Sequence, residues 1–384
     1  GLSDRDAARA LQDRISWKVA AGFALTDAAF DYSVLTYWRA RLRRSERPER
    51  MFDAVRDVVA ATGVLGGRTR RALDSTLLDD AVATQDTVTQ LIAAIRRLRR
   101  LVPAAAEVGL VAHDYEHAGK PAIAWDDPIA KDALVGGLVN DAHALIDALE
   151  GVALTGEQVD ALGLLALIAG QDVEPGETDG TWRIAQRVAP DRVISVVDPD
   201  ARHMHKSVSE YRDGYKAHLA VEPETGLITA AAVTPANAAD GPTGVALLAD
   251  EEAGVQVLAD SAYGGGETRA ALRAAKHEQA IKAIRLRPAV PDGFDRDDFL
   301  IDHAARTATC PAGHTVFMTN HGNAVFGVRC RNCPLRDRCT TAKDGRTLRI
   351  GQHDAELVEA RRAWRDGDFT ADYRRWRPMV ERSI

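Results

Sequence analysis

Apolar positions along the chain follow two regimes. Over residues 1–66 and again over 77–169 they recur at helical spacing, whereas from 193 to 259 they come as short runs separated by turn residues. At the start, Ser3 to Asp6 is a capping signal ahead of Ala7, Leu11 and Ile15, which share one helix face. Leu25 to Asp27 reads as the cap of a short second helix and 31–42 as a third. Gly63, Gly66 and Gly67 then punctuate the chain before a strand over 68–76. Val82, Val88, Leu91, Ile92, Ile95 and Leu98 form one stripe of the helix that follows. The helical period is broken near Pro103, Pro121 and Pro128, and 171–180 is polar and reads as a loop.

The second regime is richer. After an apolar run at 193–197, segments 214–221 and 227–233 flank Glu222 to Gly226 and form the clearest hairpin in the chain. A helix over 243–252 leads to a buried strand, 255–259, which ends on Asp260. Gly264, Gly265 and Gly266 allow a sharp turn into a helix that begins near Glu267. Strand, hairpin, helix, strand and helix in that order predict an α/β fold, a mixed sheet with helices on its faces. The chain closes on a helix from about Ala355, with Leu357, Ala360, Trp364, Tyr373, Trp376 and Val380 along it and Glu381 near its end.

Composition narrows the class. With 384 residues, 46% hydrophobic and 27% charged, the chain suits a soluble protein of two or more domains. Its longest apolar run, 161–169, is too short for a membrane span, and no signal peptide opens it, so the expected location is cytoplasmic. The net charge of −7 argues against a uniformly basic nucleic-acid binder but leaves room for local patches. Such patches exist: Arg39, Arg41, Arg43, Arg44, Arg47 and Arg50 in one, Arg96, Arg97, Arg99 and Arg100 in another. Each reads either as a solvated helix face or as a phosphate-contacting surface built from forked guanidinium donors.

Candidate chemistry lies in the acids and cysteines. Asp260 stands at a strand's carboxyl end, where open α/β sheets place their chemistry. Asp74 is read as ending its own strand, although Asp74, Ser75 and Thr76 are also good N-caps for the following helix. Two such aspartates and the helical Glu381, if held together, offer hard oxygen ligands that select Mg²⁺ or Mn²⁺. Two such ions clamp the attacking and leaving oxygens of an in-line phosphoryl transfer. All four cysteines, Cys310, Cys330, Cys333 and Cys339, fall in one window, as a tetrahedral structural Zn²⁺ site requires. His314 is an alternative to Cys310, and unliganded thiols are the plainer reading. Arg331, Arg336, Arg338 and Lys343 make this knuckle a candidate DNA-facing surface. His203-x-His205 has ligand spacing but no partners nearby in sequence and reads as exposed loop.

Five segments in order resemble the DDE transposases of bacterial insertion sequences, in the branch with a cysteine-rich insert before the final helix. They are Asp74-Ser75-Thr76, Gly214-x-Lys216-x-His218, Leu258-x-Asp260-x-x-Tyr263-Gly264, Cys330-x-x-Cys333 with Cys339, and Arg377-x-x-x-Glu381. The opening Ser3 to Ala8 and Asp31 to Leu35 resemble the family's N-terminal helical domain. The resemblance implies a ribonuclease-H-like core in which Asp74, Asp260 and Glu381 are the catalytic acids and Mg²⁺ ligands. It further implies hydrolytic nicking at a transposon end and attack of the freed 3′-OH on target DNA. Tyr373 and Arg377 lie at the family's Tyr/Arg helix signature, with a Tyr–Arg spacing one residue off its pattern.

The implied domains are 1–66, helical and DNA-binding; 67–294, catalytic with a helical insertion over 77–190; 295–350, the zinc insert; and 351–384, the helix with the third acid. DNA contacts are expected from Arg41, Arg43, Arg44, Arg96, Arg97, Arg99, Arg100, Lys216, Arg336, Arg338, Tyr373 and Arg377. The expected partners are double-stranded DNA and a second copy of the chain on it, in a nucleoid-associated bacterial protein with no membrane contact. Because the chain lacks an initiator Met and stops just past Glu381, a truncated and inactive DNA-binding remnant is one alternative expectation. A ribonuclease-H-like nuclease is another, and a zinc-ribbon regulatory protein with structural acids is the third.

Overall fold

A computed structural model describes residues 2–79, 84–117, 119–205 and 210–383, so Val82 of the helical stripe and Lys206 lie outside the described residues. The chain forms two compact units, 1–68 and 69–384. The first holds four helices: α1 (Asp4–Asp13), α2 (Ile15–Ala20), α3 (Ser33–Arg43) and α4 (Arg50–Thr62). Ser3 Oγ accepts from Asp6 N at 3.2 Å and caps α1 as the sequence predicts. No helix starts at Asp27, contrary to expectation. Its carboxylate instead accepts from Ala24 N, and Lys18 of α2 donates to Leu25 O and Asp27 O, which pins the stretch as a turn. Gly63 ends α4 at φ +65°, the left-handed cap that favours glycine.

The second unit is built on β1 (Arg70–Asp79). This strand runs five residues past Asp74, so Asp74 lies inside the strand and neither ends it nor caps a helix. The cause is pairing: residues 72–79 stay in register with a long partner strand, and the next helix has its own cap, Asp86, whose carboxylate accepts from Thr89 N at 3.1 Å. That helix, α5 (Thr87–Leu101), is followed by α6 (Pro103–Ala106), α7 (Pro128–Ala148) and α8 (Gly156–Gln171). Val88, Leu91, Ile92, Ile95 and Leu98 of its stripe are buried against Leu138, Leu145 and Leu165 in a separate helical core. The loop expected at 171–180 is present over 176–180, where it joins two short hairpin strands, β2 (Val173–Pro175) and β3 (Trp182–Ile184). Trp182 fixes them there, its Nε1 donating to Asn140 of α7. By contrast, β4 (Arg202–His205) takes the place of an exposed loop, with His203 Nδ1 2.5 Å from Asp213.

The predicted hairpin is present as β5 (Tyr211–Glu222) and β6 (Leu227–Pro235). Glu222, fully buried, accepts from Glu224 N, Thr225 N and Thr225 Oγ, and Gly226 at φ +74° completes the turn. α9 (Asp240–Leu247) leads to β7 (Gln256–Ala259), and α10 (Gly266–Ala274) to β8 (Glu278–Ile281). β5 lies antiparallel on one edge of β1, with β4 and β6 beyond it; β7 and then β8 lie parallel on the other. Leu73, Leu247, Val257, Tyr263 and Leu272 fill the face under α9 and α10. Ala72, Val221, Leu258 and Ala280 form the other face, closed by Val380.

Next come β9 (Leu300–Asp302), β10 (Thr307–Thr309), β11 (Thr315–Phe317), β12 (Asn323–Val325), α11 (Arg336–Cys339) and β13 (Thr347–Arg349) around Phe299, Phe326 and Leu348. The single closing helix of the sequence reading is three: α12 (Asp354–Asp366), α13 (Thr370–Trp376) and α14 (Pro378–Glu381). Gly367 at φ +82° caps the first, and Pro378 starts the third.

Two helical glycines should respond oppositely to a methyl group. A Cβ at Gly244 of α9 would stand 2.7 Å from Tyr263 Cδ1, a buried ring, whereas Gly163 of α8 faces open space. Gly163→Ala should stabilise the protein by about 0.5–1 kcal/mol, and Gly244→Ala should destabilise it by about 1–3 kcal/mol. Denaturant midpoints of the two variants against the parent measure both signs.

Candidate active site

Parallel pairing of β1 with β7 sets the geometry. Ala72 is in register with Leu258, so Asp74 and Asp260, each two residues further along, arrive side by side at the same end of the sheet. Strand alternation turns Asp74 toward the face closed by α13 and α14, and Ser75 toward α9. The Asp74 side chain is 17% exposed. Arg377 Nη2 lies 2.9 Å from Asp74 Oδ1 and its Nη1 lies 3.3 Å from Glu381 Oε1. Ser75 N also donates to Asp74 Oδ1 at 2.9 Å. One guanidinium thus joins two of the three acids picked out in the sequence.

The electrostatics agree with this clustering. Burial raises the Asp74 carboxyl above its ordinary value and outweighs the opposing pull of Arg377; the neighbouring charge of Asp260 adds to the rise. The Tyr373 hydroxyl is raised by burial, with Arg377 opposing and Asp260, Glu381 and Asp74 all contributing. It therefore sits within the field of all three acids.

Asp260 is held from behind. Its carboxylate accepts from Ala262 N at 2.9 Å, turning the chain into the short helix Ser261–Tyr263. Arg269 on α10, buried, donates to Gly264 O and Ile281 O and so ties the Asp260 loop to β8. Burial lowers its guanidinium to about 10. The glycines here have a different role from the one expected. Gly264 has φ −83° and Gly265 φ −64°, so no left-handed turn is involved. Gly266 instead admits His353, whose Cβ would be 2.5 Å from an added Cβ, and Gly264 admits the Lys282 carbonyl.

On the opposite face a polar group braces β1. Ser75 Oγ donates to Asp240 Oδ1 at 3.2 Å, and Lys216 Nζ lies 2.9 Å from the same oxygen while donating to Ala238 O. His218 is fully buried, 3.8 Å from Asp240, and burial lowers its pKa. Lys216 is thus buried inside the sheet's packing, not on the DNA-facing surface where it was expected. Asp240 and Arg269 were not among the residues picked out in the sequence, since neither stands in a local pattern that marks its buried partners.

The arginine patches divide. Arg96 donates to Glu116 O, Arg97 to Val196 O, and Arg99 to Ala106 O and Val108 O, so these three hold the helical layer together, while Arg100 is exposed. In the first unit, Arg41, Arg44 and Arg50 line an open cleft of about 440 Å³ with Tyr37, and Arg43 is exposed. In the cysteine-rich insert, Arg336 donates to Cys330 O, Ala342 O and Lys343 O, and Arg338 packs over the Phe294 ring at 4.6 Å.

All four cysteines line one small cavity of about 20 Å³, together with His314. Arg346 N donates to Cys330 Sγ at 3.4 Å. Gly345, at φ +85°, leaves no room for a Cβ beside Cys330. Among the described residues, no group of three or more His, Cys, Asp or Glu side chains is placed so that it could hold a metal ion as it stands. No described helix is long and apolar enough to cross a membrane.

No curated protein and no solved structure matches the chain significantly. Family models do match. A transposase domain, DUF772, matches residues 1–41. Two models each described as a transposase DDE domain match residues 179–313 and 309–384. These two together span more than half of the chain and include Asp260, the cysteines, Arg377 and Glu381, and on these matches the chain belongs to the DDE transposase family.

Proposed function

We propose that the protein nicks double-stranded DNA at transposon ends and joins the freed 3′-OH to target DNA, with Asp74, Asp260 and Glu381 as its catalytic acids. The observation that carries this reading is the arrival of Asp74 and Asp260 side by side from neighbouring parallel strands, with Glu381 tied to Asp74 through Arg377. The six-stranded sheet, β4-β5-β1-β7-β8 with β6 also on β5, is antiparallel where β5 meets β4, β6 and β1 and parallel across β1, β7 and β8, and this supports a ribonuclease-H-like core.

By donor chemistry the acids suit Mg²⁺ or Mn²⁺: hard oxygens, of which half-buried Asp74 is paired with a guanidinium; as they stand, no three of the described acids are placed to hold an ion together. When bound, such ions activate the attacking oxygen and stabilise the leaving one. The chain's own residues do the positioning. Asp74 is rigid because it lies inside a strand braced from below by Ser75 and Asp240. Asp260 is rigid because Arg269 fastens its loop. Glu381, 62% exposed at the end of a four-residue helix, is the exposed member, open to a substrate. Residues 1–66, with the cleft lined by Arg41 and Arg44, are assigned to DNA binding, and a pair of chains is assigned to hold two DNA ends. Cys310, Cys330, Cys333 and Cys339 are assigned to one structural Zn²⁺, since four thiols around an ion-sized cavity are a closed donor set.

Three outcomes test this. Asp260→Asn keeps the shape and removes ligand charge, so Mg²⁺-dependent nicking of end-containing DNA should fall by about 10²-fold or more, with DNA affinity nearly unchanged; equal nicking by variant and parent would end the proposal. Purified protein should carry about one zinc per chain, and Cys339→Ser should lose it and melt at lower temperature. A Cys–Cys disulfide, or four freely titrating thiols without metal, would refute the zinc assignment. Replacing Arg41, Arg43 and Arg44 by Ala should weaken binding of all DNA sequences alike and make its salt dependence shallower. An unchanged slope would return these residues to a solvated helix end.

A further inference from the structure

Arg377 differs from every other charged residue near the site. Its side chain is 5% exposed, its two terminal nitrogens each face a carboxylate, and its Nε is buried with no hydrogen-bond partner. The backbone beneath it is fixed: Arg377 N donates to Tyr373 O at 3.0 Å, and Val380, fully buried on Ala72 and Leu258, anchors α14 to the sheet. The guanidinium therefore bridges Asp74, which is half-buried, and Glu381, which is otherwise solvated. A cation drawn to both carboxylates meets oxygens, Asp74 Oδ1 and Glu381 Oε1, that the guanidinium already contacts.

From this we propose that Arg377 is a resident stand-in cation, a positioning residue that holds Asp74 and Glu381 together in the metal-free protein and competes with the divalent ion for them. The inference rests on the assignment of these acids as metal ligands. Its physical basis is charge. With Asp260 alongside, three carboxylates share one guanidinium, so a net negative charge remains to attract a divalent ion. An ion that binds between Asp74 and Glu381 displaces or repels Arg377, whose fork of donors then turns toward the incoming phosphate backbone. Metal and DNA binding are thereby coupled, and the coupling is reciprocal.

The test is Mn²⁺ affinity, read from the free-ion electron paramagnetic resonance signal of the full chain, with thermal unfolding beside it. Arg377→Gln should bind Mn²⁺ about tenfold or more tightly than the parent, should unfold at lower temperature without metal, and should recover more of that loss when Mn²⁺ is added. Arg377→Lys keeps the charge but cannot bridge both acids, so its affinity should lie between the two. Were Arg377 only a strut, its loss would scatter the ligands and weaken Mn²⁺ binding; equal or weaker binding by a folded Arg377→Gln overturns the proposal. If that variant does not fold, equal or weaker binding by Arg377→Lys does so. Asp260→Asn, alone and combined with Arg377→Gln, separates the two levels. Mn²⁺ binding that ignores Asp260 in both backgrounds sinks the assignment of the acids and this inference with it. Binding that depends on Asp260 but does not rise in Arg377→Gln sinks the inference alone.

Discussion

A half-buried carboxylate inside a β-sheet is the constraint to which the rest of the second unit answers. Asp74 sits within β1, flanked by strands on both edges and closed over by α13 and α14, and desolvation disfavours its charge. Arg377 is the answer from above, placed by the short break between α13 and α14 and by the anchoring of Val380. Ser75 is the answer from below, its hydroxyl held by Asp240, which is itself neutralised by Lys216. Removing one partner of so buried a pair generally costs more than the pair contributes, because a lone charge is left in low dielectric. Asp74 and Asp260 are thus each held by hydrogen bonds to neighbouring backbone, whereas Glu381 is exposed.

The cysteine-rich insert belongs to the same mechanical system. Arg361 of α12 makes two hydrogen bonds to Asp297, at 2.9 and 2.7 Å, and Arg296 pairs with Asp354 at the start of α12. α12 also meets α10 through Arg273 and Glu356, and His353 fills the space that Gly266 leaves. α10 in turn carries Arg269, which fastens the Asp260 loop. A continuous chain of ion pairs and close packing therefore runs from the insert to the loop of one acid. Whatever holds the insert together also holds the geometry around Asp260.

Much of this was legible in the sequence wherever local chemistry and tertiary packing ask for the same thing. The hairpin at Glu222 to Gly226, the stripe on α5, the strand ending on Asp260 and the helix after Gly266 were all readable, because a turn residue or a period of apolar side chains marks each one. The four cysteines, read from the sequence as a zinc site, line one cavity in the fold. Local signals failed where long-range pairing decided the outcome. Asp74-Ser75-Thr76 has the composition of a helix cap, yet β5 supplies partners as far as Asp79 and the segment stays extended. β2, β3 and β4 are too short and too polar to announce themselves, and exist because Trp182 and Asp213 hold them.

By itself, then, the sequence determined which residues carry charge and sulfur, in what order, and on which elements they ride: two aspartates near strands, a glutamate on the last helix, four thiols in one loop-rich insert. Those follow from composition and periodicity, which act over a few residues. Only the tertiary structure decided what each charge faces. It buried Lys216 against Asp240 instead of exposing it, gave Arg96, Arg97 and Arg99 backbone carbonyls as partners, and set Arg377 between Asp74 and Glu381. The reason is that an ion pair depends on through-space distance and burial, and residues 74 and 377 are brought together by sheet register and helix docking, about which neither local sequence says anything.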